Sequence, residues 1–346
     1  MTDVEDKQGV RSAHEVLSWS RFGVEPALRS AVDRLPESMR TIAGYHFGWR
    51  DEHGQVTGGN GGKAIRPALT LLAAEAVGGV AAAAMSGAVA VELVHNFSLL
   101  HDDVMDHDTT RRHRPTAWSV FGINSAILAG DSMLMLALDV LADSGHPTAQ
   151  QGVRMISVAV QALLDGQAAD LAFEERGDVD LLECVKMAEG KTGALLGCAC
   201  EIGALFGGGN PDQVAHLRGF GEALGLAFQF ADDLLGIWGD PEVTGKPVFS
   251  DLRNRKKSLP VVAALNSGTE AGRELDLLYH SDHPLSGDDL RRAADLVDLA
   301  GGRAWSQARA DDLLSRARGH LVAAEPTARA AAELDAVAEL ASHRDH

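Results

Sequence analysis

An all-α fold, a large antiparallel bundle of roughly ten or more helices, is predicted by three features of the 346-residue sequence. Alanine and leucine dominate while aromatic residues make up only 5%, and the alternating β-branched pattern that marks strands is scarce. Apolar residues recur instead at helical spacing along nearly the whole chain. Clusters of Gly, Pro and Asp interrupt that pattern at intervals short enough to join antiparallel neighbours.

In chain order, residues 1–20 are polar and are expected to form a poorly ordered N-terminal segment. Residues 21–346 are expected to form a single domain, because neither an internal repeat nor a shift in composition divides them. The stretch GYHFGWRDEHGQVTGGN (44–60) reads as a long surface loop. Helical periodicity then runs through 64–100, 118–144, 150–173, 181–206, 212–236, 258–266, 288–299 and 303–341. The breaks fall at GGNGGK, DSGHPT, ERGDVD, GGGNPD, GDPEVTGKP and SDHPLSGDD.

Bulk properties narrow the function. Hydrophobic residues at 45% and charged residues at 23% are ordinary for a chain with a large core. A net charge of −18 excludes general affinity for nucleic acid or anionic lipid. Cys184, Cys198 and Cys200 are too few and too clustered for a disulfide framework, and Cys198-Ala-Cys200 lacks zinc-ligand spacing. The N-terminus MTDVEDKQGVRSAHEV has no signal-peptide pattern. No uninterrupted apolar run reaches the ~18–20 residues that span a bilayer. A cytoplasmic protein without an integral membrane segment is the expectation.

Two acidic pairs stand out. In HDDVMD, Asp102, Asp103 and Asp106 fall at i, i+1 and i+4 at the end of the apolar run VELVHNFSLL. Carboxylates one helical turn apart repel unless a cation sits between them, and burying them is costly unless metal or a partner charge compensates. Oxygen-only ligands suit Mg²⁺, which keeps waters and shares substrate phosphates; a helix-end charge cluster is the simpler alternative. Asp232 and Asp233 in FQFADDLLGIWGD form a second pair about 130 residues later. Facing each other across a bundle, the two pairs would make a polynuclear site for a polyphosphate.

Cations complement them. GGKAIRP puts Lys63 and Arg66 at i, i+3 where a helix begins. It is not a nucleotide P-loop, which needs Gly where Thr57 stands and Ser or Thr where Ala64 stands. GDPEVTGKP fails the same test, being one residue too long in spacing and carrying Pro247 after the lysine. Arg111, Arg112, Lys191 (in EGKTG), Lys246, Lys256 and Lys257 complete the set.

Seven motifs in order, GGKAIRP, ELVHNFSLLHDDVMDHDTTRRHRPT, AILAGD, GQAADL, EGKTGALL, FQFADDLLGIWGDPEVTGKP and DLRNRKKSLP, resemble the trans-isoprenyl diphosphate synthases. The likeness runs from about residue 24 to the C-terminal helices. It implies an isoprenoid synthase bundle around a central cavity, a homodimer, and three Mg²⁺ ions per active site. Asp102 and Asp106 match ligands of two ions that hold an allylic diphosphate, with Asp103 supporting them. Asp232 matches the ligand of a third, with Asp233 beside it. Lys191, Lys246 and Arg111 match the clamp on the allylic diphosphate, and Lys256 closes over it. Lys63, Arg66, His95 and Arg112 match a metal-free pocket for isopentenyl diphosphate, while Thr192 and Gln229 match positions that line the reacting carbons.

Two departures affect what the resemblance implies. Gly236 stands where the family usually has a third aspartate of the second motif, a place that water or Asp240 could fill. Ala64 replaces a usual basic residue between Lys63 and Arg66. The implied reaction is head-to-tail: the allylic diphosphate ionises, the isopentenyl double bond attacks the allylic cation, and the released diphosphate takes the proton. Preorganised cations would stabilise the leaving group, while apolar walls would exclude water. Phe97 and Ser98, the fifth and fourth residues before Asp102, resemble the bulky-then-small pair of geranylgeranyl (twenty-carbon) synthases. A class I terpene cyclase and a non-catalytic regulatory subunit of a prenyl synthase are the alternatives; the cation set weighs against the first and the intact first motif against the second.

Overall fold

The computed structural model describes residues 9–58, 62, 64–240, 248–281 and 283–342, and its fold is a helical bundle. Lys63 and Lys246 lie outside the described residues. The first part holds α1 (Ala13–Val32), α2 (Glu37–His46), α3 (Ile65–Ala76) and α4 (Met85–Met105). A two-stranded hairpin follows, β1 (Thr110–Arg111) and β2 (Arg114–Pro115), then α5 (Ala117–Phe121), α6 (Ile123–Ala142) and α7 (Ala149–Glu175). Next come α8 (Leu181–Ala188), a π-helical turn (Glu189–Gly193), α9 (Ala194–Phe206) and α10 (Pro211–Trp238). The C-terminal part holds α11 (Ser250–Arg253), α12 (Leu259–Leu265), α13 (Glu270–Tyr279), α14 (Gly287–Leu299), α15 (Gly302–Ala323) and α16 (Ala328–Ser342).

Helix starts are chemically marked. Capping boxes at Ser12/Glu15, Asp180/Glu183, Asn210/Gln213 and Ser286/Asp289 satisfy amides that the first turn leaves without partners. The most extensive packing is α10 on α15 and α9, α4 on α6, and α3 on α9. These faces are rich in Ala, Gly and Leu, which let helix axes approach closely. α4 is buried nearly all round, so its C-terminal acidic residues emerge directly from the core.

The structure corrects two expectations. Residues 1–8 of the N-terminal segment lie outside the described residues, but the segment is helical from Ala13, with Val16, Leu17 and Ser20 buried. It is anchored by Arg11, whose backbone and side chain both donate to the buried Glu333 at 3.0 and 2.9 Å, and whose guanidinium stacks over Trp19. The start of the 44–60 stretch is likewise no surface loop. Residues 44–46 finish α2, and Tyr45, Phe47 and Trp49 are buried, the last two with stacked rings. The three cysteines are free and buried.

Among the described residues, two helical segments, Ala81–Met105 and Ile123–Ala142, are long and apolar enough to cross a membrane by length and composition. The first is core. The second is only 39% buried and leaves Ile123, Ile127, Leu128 and Met135 exposed, beside Val158 and Leu164 of α7.

Candidate active site

The first acidic motif closes α4. Asp102 lies in its last turn and Asp106 caps it, donating its amide to the Asp102 carbonyl at 2.8 Å. Consecutive helical residues point about 100° apart, so the DD pair divides. Asp103 turns inward, 1% exposed, and accepts from Arg111 Nε at 2.6 Å, while Asp106 is exposed. Burial pushes the Asp102 and Asp103 carboxyls up to about 6 and also raises Asp106, against the pull of Lys191 on Asp102 and Asp106 and of Arg111 on Asp103. A helix C-terminus adds its own negative dipole here. The site is short of positive charge.

The β1–β2 hairpin returns cations to it. Arg112 and His113 occupy its two turn positions at φ 52° and 60°, the left-handed pair that a tight two-residue hairpin requires. That turn aims Arg111 at Asp103 and carries the Arg112 guanidinium over Gly62, so close that a Cβ on Gly62 would meet it at 2.8 Å. His95 is held well below its usual range, first by burial and then by Arg66 and Arg112. Arg66 and Arg112 thus both act on His95 in one basic cluster. A cavity of about 380 Å³ lies beside it, lined by His46, Gly62, Asp103, Arg111, Arg112 and Arg114. Glu92, buried under Arg66 and Arg112, is a residue that sequence reasoning missed; burial raises its carboxyl while the two arginines lower it.

Lys191 rides on the π-helical turn between α8 and α9, a distortion often found at functional sites. Its Nζ donates to Asp170 Oδ2 at 2.6 Å. Gly166 of α7 allows this approach, since a Cβ there would sit 2.4 Å from the Lys191 amide nitrogen. Burial alone would raise the Asp170 carboxyl, but Lys191 and Lys256 carry it below the usual range. Asp170, within GQAADL, is a residue that sequence reasoning missed; its signal was the motif itself.

The second motif divides as the first does. Asp232 is exposed and Asp233 is 3% exposed. Thr192 Oγ1 donates to Gln229 Oε1 at 2.6 Å, Gln229 Nε2 donates to Asp233 Oδ1 at 2.8 Å, and the Leu259 amide donates to Asp233 Oδ2 at 2.8 Å. With both oxygens engaged by protein donors, Asp233 is a strut tying α10 to the start of α12. Burial nevertheless pushes its carboxyl up to about 6.

Lys256 joins the two motifs. Burial by itself would lower its ammonium, yet Asp251, Asp233, Asp170 and Asp232 together hold it well above the usual lysine range. The same ammonium acts on Asp106. Acidic groups from α4, α7, α10 and α11 therefore all act on one cationic centre. Among the described residues, no three His, Cys, Asp or Glu side chains converge tightly enough to hold a metal alone. Separated carboxylate oxygens in a site short of positive charge fit Mg²⁺, which draws much of its shell from water and phosphate oxygens.

Phe97, one helical turn below the acidic end of α4, is buried and meets His101 edge-on with ring centroids 4.9 Å apart. Ser98 Oγ donates to the His95 carbonyl at 2.8 Å.

Comparison with known proteins agrees with this architecture. Residues 49–297 match the family model described as polyprenyl synthetase. A (2E,6E)-farnesyl diphosphate synthase of Mycobacterium bovis is 51% identical over 301 residues, 86% of this chain and 82% of that protein. A geranylgeranyl diphosphate synthase of Mycobacterium tuberculosis is 44% identical over 331 residues, 95% of this chain and 93% of that protein. The crystal structure of a polyprenyl synthetase from Streptomyces coelicolor A3(2) superposes with a TM-score of 0.89 at 46% identity, covering 94% of this chain and 98% of that one. The chain belongs to the polyprenyl synthetase family of prenyltransferases.

Proposed function

We propose that the enzyme condenses isopentenyl diphosphate head-to-tail with an allylic diphosphate to an all-trans product of twenty carbons, geranylgeranyl diphosphate. The observation that carries the reading is that Arg111 bonds Asp103 and Lys191 bonds Asp170 close to Asp102 and Asp106, with Lys256 and Asp232 acting on the same group of charges and Arg66 and Arg112 acting on His95 apart from them. One diphosphate must ionise and the other must stay intact. A metal-binding acidic ring and a metal-free basic pocket divide the two roles.

Three Mg²⁺ ions, held through Asp102, Asp106 and Asp232, would supply electrostatic stabilisation to the departing diphosphate. Lys191, on its π-turn, and Arg111, on its hairpin, donate to the same anion from fixed positions, so little reorganisation is needed as charge develops. Lys256 is attracted by several carboxylates, and a diphosphate would offer it a better partner. Arg66, Arg112 and neutral His95 orient the isopentenyl group, with Glu92 beneath them as a counter-charge. Thr192 and Gln229, locked by the hydrogen bond between them, present a fixed wall to the reacting carbons. The released diphosphate, not a protein side chain, takes the final proton.

Phe97 is read as the floor of the tunnel for the growing chain. A fifteen-carbon product is the second reading, favoured by the 51% identity to a farnesyl diphosphate synthase. Incubation with Mg²⁺, isopentenyl diphosphate and each allylic primer, followed by mass spectrometry of the products, separates the readings. A twenty-carbon product supports the proposal and a fifteen-carbon product replaces it. A cyclic hydrocarbon from the allylic substrate alone would mark a terpene cyclase, and no turnover would mark a regulatory subunit.

The exposed apolar side of α6 and α7, with Ile127, Leu128, Met135 and Val158, is read as the contact between two copies of the chain. A homodimer in light scattering that dissociates on Met135→Glu supports this; an unchanged mass refutes it. The buried free thiols and the net charge of −18 suit a cytoplasmic enzyme.

A further inference from the structure

This inference rests on reading the chain as a magnesium-dependent diphosphate binder. We propose that Asp251, on α11, supplies the carboxylate that the second acidic motif lacks at Gly236, and that it steadies the cation nearest Asp232.

Position 236 lies inside α10, three residues after Asp233. Glycine there is unfavourable for a helix interior, so its presence needs a reason. The reason is contact: a Cβ built on Gly236 would lie 2.3 Å from Asp251 Oδ2, 2.5 Å from its Cγ and 2.8 Å from Oδ1. The carboxylate of Asp251 stands where the side chain of residue 236 would begin. The two positions share one space, and in this chain an acid reaches it from α11.

Asp251 is fixed in that space by its neighbours. Ser250 Oγ donates to the Gly236 carbonyl at 3.3 Å and lies 3.4 Å from Asp251 Oδ1, which pins the start of α11 to α10. The Lys256 amide donates to the Asp251 carbonyl at 2.9 Å, folding the chain so that the Lys256 side chain returns to the same acidic centre. There Asp251 is its foremost attracting partner, ahead of Asp233, Asp170 and Asp232. The sequence DLRNRKKSLP therefore delivers both an acid and a base to the second motif. Asp232 and Asp251 both attract Lys256, and a diphosphate that draws Lys256 away would leave both acids to a metal. Asp240 and water, the other candidates for the vacant place in the motif, are not needed to fill it.

The test uses full-length protein with Asp251→Asn, Gly236→Asp, and both changes together. The readout is the Mg²⁺ concentration that gives half-maximal thermal stabilisation by inorganic pyrophosphate, alongside Tm in chelator. Asp251→Asn is expected to raise that concentration roughly ten- to a hundredfold, the usual effect of removing a carboxylate that supports a metal. The double variant, which returns an acid to the same space from α10, is expected to recover most of it. A shift in chelator Tm with an unchanged Mg²⁺ requirement would overturn the proposal, reducing Asp251 to a counter-ion of Lys256. A double variant no better than Asp251→Asn would overturn it as well. Unsubstituted protein that pyrophosphate and Mg²⁺ fail to stabilise would overturn the functional reading itself, and the inference with it.

Discussion

Replacing Gly166 by alanine tests how tightly the fold holds Lys191. A Cβ at residue 166 would lie 2.4 Å from the Lys191 amide nitrogen, 2.8 Å from the Met187 carbonyl oxygen and 3.0 Å from the Gly190 carbonyl carbon. All three are backbone atoms, so no side chain can swing aside. Ordinary contact begins near 3.4 Å, and 3.4 minus 2.4 requires α7 and the π-turn to part by about 1 Å. Overpacking of that kind costs about 1–3 kcal/mol, and a displacement of ~1 Å at a reacting group can cost about a hundredfold in rate. The Lys191–Asp170 bond, at 2.6 Å, would be the first contact stretched. Gly166→Ala should therefore lower stability in urea by that amount and lower kcat about a hundredfold. The matched control is Gly23→Ala in α1, where a Cβ meets nothing within 4 Å. It should leave turnover unchanged and raise stability by about 0.5–1 kcal/mol. Gly166→Ala with native stability and native kcat would refute the claim that backbone contact positions Lys191.

Three other outcomes follow from the same geometry. Asp102→Asn should lower condensation by several orders of magnitude while leaving the circular dichroism spectrum intact; native-like turnover would remove Asp102 from the metal set. Phe97→Ala should lengthen the product in mass spectrometry and, because Phe97 is a buried core residue, lower stability by about 3–5 kcal/mol; an unchanged product would remove Phe97 as the floor. His46 is pushed down to about 3, first by burial and then by Arg112 and Arg111, with Arg114 adding to them. It is neutral in the folded protein, whereas the unfolded chain protonates it near pH 6.5, so its contribution is full above 6.5 and fades as pH falls toward 3. His46→Asn should flatten the fall in Tm between pH 7 and pH 5, and an identical slope would show that other groups control it.

The helices of this bundle were legible because periodicity reports which face is buried, and burial is what orders most of the chain. Legibility failed where order comes from distant partners. Residues 13–20 look polar in isolation, yet Arg11 reaches Glu333, over 300 positions away, and that anchor makes a helix there worthwhile. Tyr45, Phe47 and Trp49 alternate with glycines and polar residues, which disguises a buried aromatic cluster as a loop.

At the site, residue types were easier to read than orientations. Adjacent aspartates point different ways from a helix, so each DD pair divides into one acid toward the cavity and one toward the core. Which is which depends on helix phase, and that phase is set by packing: α4 on α6, α10 on α15 and α9. The role of Asp233 as a strut needs the Leu259 amide, which arrives 26 residues later. Asp170 and Asp251 lay inside motifs already singled out, but their partners Lys191 and Gly236 lie 21 and 15 positions away. No spacing rule connects those pairs. Only the fold does.

The account turns on one site being shared by both acidic motifs. A crystal of the enzyme with Mn²⁺ in place of Mg²⁺ and an allylic diphosphate analogue, read by anomalous scattering, tests this directly. Metal peaks beside Asp102 and Asp106 and a further peak beside Asp232, all touching one diphosphate, are the predicted result. Peaks confined to either motif, or a diphosphate bound away from both, would contradict it.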